Sequence, residues 1–317
     1  MKKLFFFLVI TLSLLADEEE TEDINFGAYP VPWFTGPLIA PSGYTVRPGS
    51  VGIQSYFDSF VRVGSYDSHW IVRTTPNFYN YRLRVRFRTG ITGWMDGEII
   101  PQISYKETEG KSSFGFDDFI IGLNFQLATP ALHDSWPAFK LRLRTAVPCG
   151  KYQKLNPHCK HTDARGMGSW YPEIALILSK LWHLSGIHYF EIRAYSGYRF
   201  GTPASVSGLT VYGGGKGTHG TAYPGDIFFV NSAIQCNFSQ NFAFACDFLY
   251  SHRNRSRFCG KREVPATLPS REEFSLAPAL EYNFSKKVGL IGGVWFSFAG
   301  RNCPQYINGI LSLNAYI

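Results

Sequence analysis

Alternation of polar and apolar side chains is the feature of this chain that most restricts its fold. The stretch NYRLRVRFRTG, residues 80–90, places an arginine at every second position from residue 82, with Leu83, Val85 and Phe87 between them. In a helix these arginines would be spread around the axis, whereas in a strand alternate side chains point to opposite faces. The stretch therefore predicts a strand with guanidinium groups on one face and apolar groups on the other.

The same period of two recurs along most of the chain. Aromatic residues are abundant at 16% and charged residues are sparse at 17%, which favours strands over helices. Helical periodicity of useful length is not found, and nothing indicates a second domain. We distinguish about twelve alternating segments, each with one apolar face: residues 50–64, 76–89, 94–107, 114–128, 137–148, 169–182, 187–200, 225–238, 241–252, 272–284, 287–299 and 304–317.

Segment length and link length together predict an all-β fold, a closed antiparallel transmembrane β-barrel of about 12 strands. Most segments suit the ~9–11 residues of a tilted strand that crosses a bilayer, and exceed the roughly five or six of a soluble strand. Links after even-numbered segments are mostly short, whereas residues 149–168, 201–224 and 253–271 form long links after odd-numbered ones. A soluble β-sandwich would also alternate, but its solvated face would be rich in Lys and Glu. These polar faces carry Arg, Tyr, Asn, Ser and Gln, with some acids.

The chain before the first segment has a different character. Residues 1–16 have the layout of a secretory signal peptide, with a positive start and a short apolar run. Residues 17–49 are first acidic and then rich in Pro and Gly. This leader could enter the lumen as a plug, since Trp33 and Phe34 are unusually apolar for a free tail, or it could remain a periplasmic segment. We expect residues 50–317 to form the barrel, in the outer membrane of a Gram-negative-type bacterium.

Charge and cysteine usage exclude several classes of function. The formal net charge is +7, but the chain has no zinc-finger spacing, phosphate loop or basic helix, so we expect no nucleic-acid partner. Six cysteines fit an oxidising compartment and leave fifteen pairings open. No CxxC or Cys/His metal spacing occurs, so we expect neither a metal ion nor another cofactor.

Two consecutive stretches, SSFGFDDFIIGLNFQL and WPAFKLRLRTAVPCGK, carry a resemblance to a known family. The chain resembles the meta-pathway phenol-degradation family of outer-membrane barrels, in which Gly-x-Gly-Asp leads into an apolar strand and a basic strand ends in Pro-Thr-Gly. Gly115 and Asp118 match the first motif, with an aspartate in place of its second glycine. Pro148 and Gly150 match the second, with a cysteine in place of threonine. The resemblance implies an outer-membrane channel for small apolar or aromatic molecules.

Basic residues alternate in two rows, at residues 82–88 and 140–144, which we term the basic ladders. If the apolar faces meet lipid, these ladders must face the lumen, because an arginine on the lipid face near the midplane costs about 2–4 kcal/mol. Acids of neighbouring strands share this inward parity. They could pair with the ladders as a structural network, or leave a positive field that favours anions or polar-headed amphiphiles. The candidate lumen-lining residues are Arg82, Arg84, Arg86, Arg88, Lys140, Arg142, Arg144, Asp58, Glu98, Asp118 and Glu173, and more distant strands add Glu191, Asp247, Glu273 and Glu281.

These patterns predict a channel or transporter for small apolar, aromatic or anionic solutes through a narrow lumen. The alternative is a structural or adhesive surface protein that acts through its long loops. A barrel hydrolase is not expected, since the chain has no G-x-S-x-G motif. The expected partners are the lipid bilayer with its lipopolysaccharide and the barrel-assembly machinery, because the alternating last strand, which ends in Tyr316 and Ile317, resembles the signal that this machinery recognises.

Overall fold

The structure, a computed structural model, describes residues 34–130, 135–262 and 264–317. The signal peptide predicted at residues 1–16 lies outside these ranges. Within them no helix has the length and apolar character that crossing a membrane requires. Apart from a 3₁₀ turn at Pro157–Cys159, the regular elements are β1 (Val51–Tyr66), β2 (Val72–Thr92), β3 (Met95–Ile100), β4 (Gln102–Thr108), β5 (Lys111–Phe116), β6 (Phe119–Ala128), β7 (Ala138–Val147), β8 (Glu173–Ser185), β9 (His188–Arg199), β10 (Ala204–Ser207), β11 (His219–Tyr223), β12 (Ile227–Asn237), β13 (Phe242–Arg253), β14 (Arg257–Lys261), β15 (Arg271–Asn283), β16 (Val288–Arg301) and β17 (Cys303–Tyr316).

Fourteen of these strands form one sheet that closes on itself, since β1 pairs antiparallel with both β17 and β2. β3 and β4 are the two halves of one span, interrupted at Pro101, which has no N–H to donate to the ladder. β5 and β6 are likewise the halves of a span interrupted at Asp117 and Asp118. The wall therefore consists of twelve antiparallel spans, and the predicted closed barrel of about twelve strands is confirmed.

The connections give the barrel a turn end and a loop end. At the turn end, where the chain also enters β1 and leaves β17, two-residue links join β2 to β3 and β8 to β9. At the loop end, residues 148–172, 200–226 and 254–270 form long connections. The loop-end hairpin between β4 and β5 is tight, because Glu109 and Gly110 both adopt positive φ, at 47° and 72°.

The long loops contain a second, small sheet that the alternation pattern did not predict. β10, β11 and β14 pair antiparallel, so the assignment of residues 201–224 and 253–271 as loops was wrong in part. One face of this sheet covers a cluster of Val206, Tyr212 and Ala222. Its strands have only four or five residues each, too few for an alternating pattern to stand out.

The outside of the barrel is apolar at mid-height and aromatic towards both ends. Phe57, Ile307 and Leu311 on the adjacent strands β1 and β17 are 47%, 47% and 50% exposed. Such a surface does not suit water and matches a wall that faces lipid between aromatic girdles. The barrel therefore spans a membrane, and the alternative of a soluble β-sandwich is excluded. Exposed aromatic side chains near the turn end include Trp94, Trp182, Phe238, Phe284 and Tyr316, and those near the loop end include Trp70, Trp170, Phe200 and Phe298.

All six cysteines lie within the described ranges, and all six are free thiols. Cys149 and Cys259 are exposed on the loop-end connections and on β14, whereas Cys303 is buried. The fold is therefore closed by strand pairing without a disulfide framework.

Candidate functional site: the barrel lumen

The inner face of β2 carries the arginine ladder, and an acid of β1 holds its first two members. Arg82 Nε and Arg84 Nε lie 3.3 and 2.8 Å from Asp58 Oδ2. The strand register places Asp58 directly opposite Arg82. The Asp58 side chain is 1% exposed, whereas those of Arg82 and Arg84 are 30% and 27% exposed. The acid therefore lies behind the two cations, and the cations face the lumen.

Two acids of β3 form ion pairs with the next arginines of the β2 ladder, and one of them also contacts the β7 ladder. Glu98 forms ion pairs with arginines of two strands. Its Oε2 lies 3.1 Å from Nε of Arg86 on β2, and its Oε1 lies 3.6 Å from Nε of Arg142 on β7. Arg88 Nη2 lies 2.6 Å from Asp96 Oδ2. Asp96 was not among the predicted residues, although it lies two positions before Glu98 and so shares its inward parity. One carboxylate thus joins the basic rows of β2 and β7.

Glu173 of β8 forms the third buried acid centre. Arg144 Nε lies 2.8 Å from its Oε1 and Arg199 Nε 2.5 Å from its Oε2. The Tyr195 hydroxyl donates to Glu173 Oε1 at 2.6 Å. Arg199 and Tyr195 of β9 were not predicted, because no continuous basic row marks that strand. The inward positions of β9 nevertheless follow from the same period of two.

The ion pairs surround a central cavity of about 430 Å³. Glu273 is the one acid in its described lining, because the partners of most of its arginines are buried behind them. Arginines of the two basic ladders and of β9, β13 and β15 line the cavity together, so its surface is cationic. Its eight arginines are Arg82, Arg84, Arg86, Arg142, Arg144, Arg199, Arg253 and Arg271.

Residues 34–49, which we term the N-terminal strap, cross the lumen on the turn-end side of this cavity. The strap reaches Asn283 at the end of β15 and Gln126 near the end of β6 through hydrogen bonds from Thr35 and Thr45. Buried carboxylates of three spans accept its backbone N–H groups: Glu281 those of Thr35 and Gly36, Asp247 those of Ile39 and Ala40, and Asp96 that of Val46. The described part of the predicted leader thus lies inside the barrel.

Basic and apolar side chains complete the seat of the strap. Lys140 contacts the strap and, among the described residues, forms no ion pair with an acid; its Nζ donates to the carbonyl oxygen of Tyr44 at 2.9 Å. Arg193, which forms an ion pair with Glu191, donates from Nη1 to the carbonyl oxygen of Ala40 at 3.4 Å. Leu38 is buried against small or aliphatic inward residues, namely Ala277, Ala279, Ile291 and Ile310. The strap therefore packs on both polar and apolar parts of the inner wall.

Asp118 lies at the loop end and contacts backbone in place of the basic ladders. Its Oδ1 accepts the Gly150 N–H at 2.8 Å and its Oδ2 accepts the Met167 N–H at 3.1 Å. The neighbouring Asp117 accepts a hydrogen bond from Ser104 Oγ at 2.9 Å. The two stretches that carry the family resemblance are thus in direct contact, and the Asp118 carboxylate fixes the long connection after β7.

The long connection after β7 contains a buried carboxylate of its own, Asp163, which lies outside the membrane-spanning strands. Burial alone would raise the pKa of Asp163, but hydrogen bonds from Lys151 Nζ at 2.7 Å and from the Asn156 N–H at 3.0 Å lower it below its usual value. Asp163 therefore stays ionised at neutral pH and cross-links the loop. The loop-end mouth is thus an ordered structure.

Comparisons with known proteins bear on the fold. The sequence matches no protein-family model, and a search of the curated proteins finds no match. The chain is similar to the COG4313 outer membrane channel from Pseudomonas putida F1, with 10% identity and a TM-score of 0.67 over 94% of this chain and 100% of that one. The transport unit of the autotransporter AIDA-I from Escherichia coli has a TM-score of 0.45 at 10% identity, over 85% and 91% of the two chains. The NanC porin has a TM-score of 0.42 at 9% identity, over 84% and 98%. By the first of these likenesses, the chain has the fold of a twelve-strand outer-membrane β-barrel.

Proposed function

We propose that the protein is a narrow outer-membrane channel for small solutes that carry negative charge or a polar head. The cationic lining of the central cavity carries this proposal. Eight arginines reach the cavity, whereas the acids they contact, such as Asp58 and Glu98, are 1% and 6% exposed. The barrel wall and the lipid around it have a low dielectric constant, which strengthens the field of the guanidinium groups inside. Such a passage favours anions.

The strap sets the width of the passage in this proposal. It lies across the turn-end half of the lumen and forms part of the cavity lining through Leu38 and Ile39. Solutes then pass beside the strap or after it moves, and the pore is narrower than the twelve-strand wall alone would leave it. The strap thereby has the role of the predicted plug, as a constriction held by the carboxylates of Asp247 and Glu281.

The class of solute is part of the proposal. The resemblance to the meta-pathway phenol-degradation family supports small aromatic molecules, and membership of that family belongs to the proposal. The arginine lining supports a charged or polar group on those molecules, since guanidinium binds carboxylate and phenolate oxygens well. Lipopolysaccharide around the barrel and the barrel-assembly machinery are the partners that this location implies.

We also propose that the protein is a conduit and not a hydrolase. Asp117 and Asp118 are occupied by Ser104 Oγ and by backbone N–H groups, so neither is poised as a general base. Ser68 Oγ lies 3.2 Å from His69 Nδ1, but both residues are on an exposed turn outside the lumen. Purified protein should therefore not hydrolyse esters or lipids above a buffer control.

The experiment that separates the channel from a structural or adhesive protein is solute entry into vesicles. Protein reconstituted in liposomes should admit small anionic aromatic solutes faster than their neutral analogues, and faster than protein-free liposomes do. A strain that lacks the protein should take up the same solutes more slowly. Folded protein that gives no entry in vesicles, with unchanged uptake in the deletion strain, would favour the surface-protein alternative.

A further inference from the structure

We propose that the loop end of the lumen contains a binding subsite for a small aromatic carboxylate, formed by Arg253, Arg199 and Tyr171. The subsite would bind a solute of the proposed channel, so its biological role rests on that proposed function. Its existence as a binding site is nevertheless testable by itself. Arg253 ends β13, Arg199 ends β9, and Tyr171 lies two residues before β8, so the sheet brings all three to one rim.

The three residues line a cavity of about 180 Å³. An apolar cavity of roughly 150 Å³ in another protein holds a benzene molecule, so this space is sufficient for one aromatic ring. The cavity adjoins the central one, because Arg199 and Arg253 line both. A solute at this position would therefore stand at the loop-end entrance of the arginine-lined passage.

Of the eight arginines that line the central cavity, Arg253 is the one without an acid partner among the described residues. Among the residues that the structure describes, its side chain makes no hydrogen bond and no ion pair, whereas Arg199 is paired with Glu173 and Arg271 with Glu273. The positive charges of Arg271 and Arg199 act on Arg253 as well. An arginine keeps its charge in a protein, so a partly buried and unpaired one favours an anion beside it.

Tyr171 supplies an independent indication of a ligand. Its side chain is 8% exposed, and its hydroxyl is buried without a hydrogen-bond partner in the described part of the chain. Buried hydroxyl groups are normally satisfied, and an orphaned one signals a missing partner. A carboxylate held by Arg253 would accept a hydrogen bond from this hydroxyl. The cation and the orphaned donor thus point to the same chemistry.

The remaining lining of the cavity suits an aromatic body. Ile120, Ala146, Met167 and Ile227 provide apolar walls. Two acids also line the cavity, but both are engaged. Glu173 is held by Arg144, Arg199 and Tyr195, and Asp118 by the N–H groups of Gly150 and Met167. The carboxylate end of a ligand would consequently turn towards Arg253.

Equilibrium binding of benzoate to the purified, detergent-solubilised full chain tests the subsite, with benzamide as the uncharged analogue of equal size. Calorimetry should show benzoate binding at least about 10-fold more tightly than benzamide. Arg253→Gln should weaken benzoate binding by about 10-fold or more and leave benzamide unchanged. Tyr171→Phe should weaken it by a smaller factor, and Arg253→Lys should retain most of it.

Arg257→Gln is the matched control, because it removes one arginine from the exposed strand β14 outside the cavity and should leave benzoate binding unchanged. Heat-modifiable migration in electrophoresis verifies that each variant is folded. Equal affinities for benzoate and benzamide, or benzoate binding that survives Arg253→Gln in a folded barrel, would overturn the subsite. Binding that depends on Arg253 in a protein that admits no solute into vesicles would sustain the subsite and overturn the channel.

Discussion

Arg84 donates two hydrogen bonds to Asp58, from Nε to Oδ2 at 2.8 Å and from Nη2 to Oδ1 at 3.0 Å. This two-point contact joins β2 to β1, the strands at which the barrel closes. Arg82 and Asn308 of the two flanking strands also donate to the same carboxylate. One buried acid therefore fixes three strands and orients two guanidinium groups towards the lumen.

Asp58→Asn should destabilise the barrel by about 3–5 kcal/mol, because it leaves two partly buried arginines without their counter-charge. Unfolding by guanidinium chloride in lipid vesicles measures the change. Asp67→Asn is the control, since Asp67 pairs with Arg73, whose side chain is 62% exposed, and this variant should change stability far less. Equal losses in both variants would argue against the closure role of Asp58.

Leu311→Arg should cost about 2–4 kcal/mol of folding free energy, because position 311 faces lipid in the middle of β17. The same substitution at Ile317, beside the turn-end membrane boundary, should cost about 0–1 kcal/mol. Reversible folding into vesicles gives both values. A Leu311→Arg variant as stable as Ile317→Arg would mean that this face of β17 does not meet the bilayer core.

Release of the strap should widen the passage. The double substitution Asp247→Ala and Glu281→Ala removes the acceptors of four strap N–H groups, so the first part of the strap, residues 35–40, should loosen from the inner wall. Single-channel conductance in planar bilayers should then rise severalfold.

Ser179→Ala provides the comparison for strap release, because it removes only the hydroxyl that accepts the Gly43 N–H and should leave conductance almost unchanged. Conductance that stays at the wild-type level in the folded double variant would show that the strap does not limit the passage.

Asp118→Ala should loosen the long connection after β7, because the partly buried N–H groups of Gly150 and Met167 lose their acceptor. Limited proteolysis of the folded protein should then cleave residues 148–172 faster than in the wild type. Asp67→Ala is the control, because Asp67 accepts the N–H groups of His69 and Ile71 in a different loop, and it should leave this cleavage unchanged. Unaltered proteolysis of Asp118→Ala would show that the contact does not order the loop.

The sequence was sufficient to predict the wall of the barrel because one simple rule controls it. Alternation separates inward from outward side chains, and so the parity of Asp58, Glu98 and Glu173 could be inferred without coordinates. The same rule applies to Asp96 and Arg199, which were overlooked because no charged row surrounds them. Link length separated the turn end from the loop end because the three long connections all lie at one end of the barrel.

The contents of the lumen could not be inferred in the same way. The strap has no periodicity, and its contacts join backbone N–H groups to acids up to 246 positions away along the chain. Tyr171 and Arg253 line one cavity because the long connection after β7 returns to the rim at which β13 ends, a relationship that no local pattern encodes. The strands β10, β11 and β14 are likewise fixed by pairing across distant loops.

The reversal potential of single channels in a potassium chloride gradient is the most direct test of the central claim that guanidinium groups line a passage through the membrane. Wild-type protein should give small currents that prefer chloride over potassium. Arg82→Gln should reduce that preference without unfolding the barrel, because Arg84 still neutralises Asp58. Currents that prefer potassium, or a chloride preference unaffected by Arg82→Gln, would contradict the account.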